Sequence, residues 1–217
     1  MTKLPRPRAV IFDWDNTLVD SWECIRESYN RTFRHFGMPD WSMEETQARV
    51  AASMRDSFPA MFGERWPEAR DVFTASFEAI HLDHLHPLPG ADDMLQGLKS
   101  AGLTLAVVSN KRGSFLRKEA ELIGWAPLFS RLVGADDAEA DKPDAAPVRM
   151  ALEGSGISPS AEVWFVGDSP IDILCAVNAG CTPVLMRPHP PYEGEFAHSP
   201  RRFLPSCRDL ADLVREL

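Results

Sequence analysis

The chain has 217 residues, of which 44% are hydrophobic and 25% charged, enough apolar content to bury a substantial core in one large domain or in a core with a small insert. Its formal net charge of −9 excludes broad attraction to nucleic acid or to an acidic membrane surface, while a small anionic ligand stays compatible with a locally positive pocket. The basic start of Lys3, Arg6 and Arg8 is followed by no signal-like apolar stretch, and residues 10–12 are too short to span a bilayer, so the cytoplasm is the expected compartment.

The first predicted element is a buried parallel strand, Val10-Ile11-Phe12, which runs into Asp13 and Asp15. Ligands of open α/β sheets bind beyond the carboxyl ends of such strands. Two carboxylates placed there repel each other unless a cation or a shared proton intervenes, so the pair implies a hard metal such as Mg²⁺, an acid/base division of labour, or both. The plainer reading is an Asx-type turn, since Asp, Asn and Thr are common turn formers. The strand pattern breaks after Asp20 and resumes near residues 88–90. Between them, Trp22, Ile25, Tyr29, Phe33 and Phe36 before Gly37, and then Trp66, Ala69, Phe73, Phe77 and Ile80, recur at three- and four-residue steps. These stripes predict helices packed on one another. His81, His84 and His86, with Pro87 next and no thiolate nearby, read as a returning loop in preference to a zinc site.

From Gly90 onward helix and strand alternate, as in a doubly wound parallel sheet. Helices are predicted near residues 92–101, 114–123, 147–153 and 170–179, ahead of Gly102, Gly124, Gly154 and Gly180, with strands near 103–108, 131–133, 162–166 and 183–186. Ser109-Asn110 follows one strand, and a hydroxyl with neighbouring amides can hold phosphate oxygens. Lys142 is an exposed-looking cation in a loop. Asp168 follows another strand; Ser169 suits the N-cap and Pro170 the first helical position, which turns Asp172 back toward the strand end. An ordinary turn, a solvated charge and dipole-favoured helix starts would account for these residues singly, but not for their shared position after strands. Residues 187–200 form a long Pro-rich irregular loop, and residues 209–217 a closing amphipathic helix. Cys24, Cys175, Cys181 and Cys207 lack Cys-x-x-Cys spacing and read as reduced, mostly buried thiols.

On these four segments, from Asp13 to Asp172, the chain resembles the haloacid dehalogenase superfamily, in its phosphoglycolate-phosphatase-like branch, over essentially its whole length. The resemblance implies a Rossmann-like α/β core over residues 1–19 and 88–217, with a small α-helical cap over 20–87 inserted after the first strand. It implies that Asp13 is the nucleophile and a Mg²⁺ ligand, and that Asp15 is the general acid and base and offers its main-chain carbonyl to the metal. By the same analogy Ser109 and Asn110 bind the phosphoryl group, Lys142 steadies nucleophile and phosphoryl oxygens, and Asp168 and Asp172 hold the metal. Arg55, in a polar break of the cap, resembles the family's substrate-facing region and is expected to meet an anionic leaving group, against the alternative of a surface arginine. Asn16 stands where the family usually has Gly, and Ala145 where a second Pro is more common; neither removes a reacting group.

The expected function is a Mg²⁺-dependent phosphatase acting on a small phosphorylated metabolite, a monomer or small homo-oligomer with no nucleic-acid or membrane partner. Asp15 argues against a receiver-like phosphoaccepting switch and against a dehalogenase, which does not need the second carboxylate. The absence of Lys between Lys3 and Lys99 argues against a Schiff-base phosphonate hydrolase. A phosphosugar mutase would keep the same carboxylate pair and stays open.

Overall fold

Apolar β-branched and aromatic runs without turn formers make the central strands, and their burial on both faces is the mark of a parallel sheet covered by helices. The computed structural model describes residues 4–50 and 54–217. The described chain divides into two compact units, one ending at Val19 and resuming at Pro87, the other running over Asp20–His86.

The first unit carries a six-stranded sheet of β1 (Ala9–Phe12), β4 (Thr104–Arg112), β5 (Arg131–Ala135), β6 (Val163–Gly167), β7 (Thr182–Met186) and β8 (Arg202–Leu204). Their spatial order is β5-β4-β1-β6-β7-β8 and every pairing is parallel. The chain leaves β1 to one side for β4 and β5, then crosses back to β6 on the other, so the switch point lies at the carboxyl end of β1. Ala9, Ile11, Ala106, Val108, Val163 and Phe165 point to one face. They meet Val148, Ala151 and Leu152 of α7 (Ala146–Leu152) and Cys175 and Ala176 of α8 (Pro170–Asn178). Alternate residues Val10, Phe12, Leu105, Val107, Trp164 and Val166 are buried too. Of the remaining helices, α5 (Ala91–Ser100) packs on β4 and on α9 (Cys207–Arg215), and α6 (Gly113–Leu122) packs on β4 and β5. Two-residue strands β2 (Val19–Asp20) and β3 (His86–Pro87) and the three-residue β8 show no alternation in sequence, because they are too short to express one.

The second unit is helical: α1 (Trp22–His35), α2 (Met43–Arg49), α3 (Met54–Phe62) and α4 (Trp66–Ile80). Helix α1 packs on α2 and α4, and aromatic residues recurring along α1 and α4 meet each other. Tyr29 lies 5.0 Å from Phe73 and stacks on Trp41 at 5.2 Å, and Phe33 meets Trp41 edge-on at 4.5 Å. The buried Asn30 amide fixes that Trp41 by accepting from its backbone N at 2.8 Å and donating to its carbonyl at 3.0 Å. A capping box of Ser42 and Glu45 starts α2. His81 is buried and stacks on Phe77 at 5.2 Å.

Candidate active site

Strands β1 and β6 end at one level, beside the middle of β4. Phe12 of β1 is in register with Val107 of β4 and Val166 of β6, and Asp13 N donates to the Val166 carbonyl at 2.9 Å, carrying the ladder one residue further. Asp13 and Asp168 therefore leave β1 and β6 side by side, while Ser109, read from sequence as following its strand, lies inside β4 just past the pairing with β1. The backbone then turns sharply: Asn16 sits at φ 60, the left-handed region that Asn tolerates best after Gly, and its N–H donates to the Val19 carbonyl at 2.7 Å.

Lys142 is the centre of the cluster. The sequence suggests an exposed loop cation, but the residue is only 4% exposed, because two carboxylates compensate the loss of its hydration. Its Nζ lies 2.7 Å from Asp13 Oδ1 and 2.8 Å from Asp172 Oδ1. The backbone of the same residue is clamped by Asn110, whose Oδ1 accepts from Lys142 N at 3.0 Å and whose Nδ2 donates to Lys142 O at 3.1 Å. Both ends of the Asn110 amide thus hold the lysine loop. Ser109 is buried, and its Oγ accepts from Lys111 N at 3.2 Å.

Helix α8 presents Asp172. Ser169 precedes the helix and donates to Asp172 Oδ2 from N at 3.1 Å and from Oγ at 2.6 Å, which leaves Oδ1 facing Lys142. Gly167 is required for this approach, since a Cβ there would lie 2.3 Å from Asp172 Cγ. Asp168 accepts from Thr17 Oγ1 at 3.4 Å. Carboxylate oxygens of Asp13, Asp168 and Asp172 all lie within 4.8 Å of one another.

Three carboxylates against one ammonium leave an excess of negative charge out of water. Asp13 is raised from its ordinary 3.8 to about 7: burial is the largest cause, Lys142 opposes it, and Asp172 and Asp15 add to it. Asp168 is raised well above the usual range by burial and then by Asp172 and Asp13. Burial lowers the Lys142 pKa, but the charges of Asp13 and Asp172 outweigh it and the net direction is upward. A hard divalent cation against the three carboxylates would relieve this excess, and an all-oxygen donor set is the kind such a cation prefers.

Two parts of the site were not anticipated. Lys111 Nζ lies 2.7 Å from Asp15 Oδ1 and bonds both oxygens of Glu119 on α6, at 2.6 and 2.8 Å; Glu119 Oε2 also accepts from Trp14 Nε1 at 2.6 Å. Lys111 directly follows Ser109-Asn110, a local hint, but nothing in sequence marks Glu119. The other part is Arg187, which opens the irregular loop. Its guanidinium donates to the Asp168 carbonyl at 3.2 Å, pairs with both oxygens of the buried Glu195 carboxylate at 2.6 Å, and donates to the His189 carbonyl at 2.9 Å. Arg55 lies in α3, and its side chain falls outside the described residues. Among the described residues no helix is long and apolar enough to cross a membrane.

Fold and site together define a doubly wound α/β enzyme whose carboxylates gather around one buried lysine at the topological switch point. Residues 10–186 match the haloacid dehalogenase-like hydrolase family. The chain is 30% identical over 175 residues to pyrophosphatase PpaX of Bacillus velezensis, covering 81% of each. It is 30% identical over 186 residues to the phosphoglycolate phosphatase of Chromobacterium violaceum, covering 82% of this chain and 83% of that one. A crystal structure of a haloacid dehalogenase-superfamily hydrolase from Ehrlichia chaffeensis superposes with a TM-score of 0.70 at 29% identity, over 99% of both chains. The chain belongs to the haloacid dehalogenase-like hydrolase family, as a phosphatase of that family.

Proposed function

We propose that the protein is a Mg²⁺-dependent phosphatase that hydrolyses a small phosphorylated metabolite through an aspartyl-phosphate on Asp13. The observation that carries this reading is the placement of Asp13 at the end of β1 against the buried Lys142, with Asp168 and Asp172 beside it. Asp13, Asp168 and Asp172 would hold Mg²⁺ through their side chains, and Asp15 through its main-chain carbonyl. When bound, the ion supplies charge neutralisation that lets an anionic nucleophile approach an anionic phosphoryl group.

The chain's own residues do the rest. Lys142 and Ser109 hold the non-bridging phosphoryl oxygens, which orients phosphorus toward Asp13 and balances its charge. An Asp13 oxygen attacks phosphorus, the bond to the leaving oxygen breaks, and Asp15 gives that oxygen a proton. Asp15 then takes a proton from water, whose oxygen attacks phosphorus; the bond to Asp13 breaks and inorganic phosphate leaves. Asn110 contributes by fixing the Lys142 loop. Relatives named for pyrophosphate and for phosphoglycolate support a small anionic substrate. The test is a Mg²⁺-dependent assay across phosphorylated sugars, glycolate phosphate, nucleotides and pyrophosphate: one class should exceed the rest in kcat/KM. Absence of metal-dependent turnover on every class would overturn the reading.

A further inference from the structure

We propose that Lys111, held by Glu119, is the positioning residue for Asp15, and that this ionic relay aims the Asp15 carboxylate at the leaving oxygen. The inference rests on the phosphatase reading above and deepens it.

Every residue of the 13–15 loop is fixed by a different partner. Asp13 meets Lys142 at 2.7 Å, Trp14 donates to Glu119 at 2.6 Å, and Asp15 meets Lys111 at 2.7 Å. Glu119 receives Lys111 on both oxygens, so the Trp14 indole, Glu119, Lys111 and the Asp15 carboxylate close a ring that starts and ends on adjacent residues. The Lys111 and Glu119 side chains are 4% and 1% exposed, whereas that of Asp15 is 20% exposed. The buried end of the relay is thus rigid and the reacting end faces outward. Burying an ammonium and a carboxylate is costly, and apolar residues of similar size would pack this position at least as well. What apolar residues could not do is hold a short, partly exposed carboxylate in one rotamer. Lys142 serves a different carboxylate, so the two lysines divide the loop between them: one keeps the nucleophile in place, the other its acid/base partner. Misplacing a reacting group by an ångström costs about 10²-fold in rate, which sets the expected size of the effect.

The test exploits the leaving group. An alkoxide needs a proton as it departs, and a nitrophenolate does not. The variants are Lys111→Met and the charge-balanced Lys111→Met/Glu119→Gln, in which Trp14 keeps an acceptor; thermal melting identifies the folded one, and the double variant decides if the single variant fails to fold. Measured with Mg²⁺ on the best alkyl phosphate and on p-nitrophenyl phosphate, the alkyl-to-aryl ratio of kcat/KM should fall by about 10²-fold. Lys111→Arg, which keeps the charge and its donors, should recover part of that ratio. An unchanged ratio in the folded double variant overturns the inference, whether both activities fall together or neither falls. Failure of the wild-type protein to hydrolyse either ester counts against the phosphatase reading instead.

Discussion

Asp13 is the proposed nucleophile, and its electrostatics make it testable apart from catalysis. Asp13→Asn removes the nucleophilic charge at nearly constant volume, so turnover should drop on the order of 10⁴-fold or more while the circular-dichroism spectrum stays native. The same variant reports on stability. The folded value of about 7 lies above the ordinary 3.8, so the contribution of the neutral carboxyl is present in full below 3.8 and is lost as pH rises to about 7. Without divalent cation, the Tm of Asp13→Asn relative to wild type should therefore rise from about pH 5 to about pH 8. A difference that stays constant across that range would remove Asp13 from the buried, charge-crowded position. Gly167→Ala belongs to this scale as well. A methyl group would have to displace Asp172 and with it one of the two partners of Lys142, at a cost of about 1–3 kcal/mol and with loss of most activity; a fully active Gly167→Ala would show that the approach is not needed.

At the scale of elements, the carboxyl ends of β1 and β6 were legible because each apolar run stops at a residue with chemistry, whereas β4 runs past its apolar stretch through Ser109 to Arg112. Ser169, Pro170 and Asp172 form the helix start that their order suggests, since capping is a local property of a few residues. Burial of Lys142 was not legible. Its carboxylate partners lie 129 and 30 residues away, so only the closed sheet reveals that a loop lysine is enclosed. Glu119 was hidden for a related reason: a glutamate inside a helix reads as solvated unless the fold turns it inward. The loop after β7 looked merely irregular, whereas Arg187 ties it to the Asp168 carbonyl and to Glu195. Arg187→Ala leaves the Glu195 carboxylate buried without its fork of donors, a loss of about 1–3 kcal/mol. Limited proteolysis should then cut within residues 187–200 faster than in wild type. Equal cleavage rates would mean that the fork does not restrain the loop.

Over the whole molecule, strand order matters more than any single contact. Crossing from β5 back to β6 puts the ends of β1 and β6 beside the stretch of β4 that carries Ser109, and residues far apart in the chain become one charged cluster. Alternation of helix and strand after Gly90 made the doubly wound core readable, and the aromatic stripes of α1 and α4 made the helical unit readable, because both patterns are periodic. Two- and three-residue strands carry no period and escaped. The fold concentrates charge at the end of β1, and the proposed mechanism requires that Asp13 itself become phosphorylated. Acid quench of a turnover with phosphoryl-radiolabelled substrate, followed by peptide mapping, tests this most directly. Hydroxylamine-labile label is expected on the peptide containing Asp13 and none in Asp13→Asn. Active turnover in the same quench with label absent from that peptide, or carried by another residue, would contradict it.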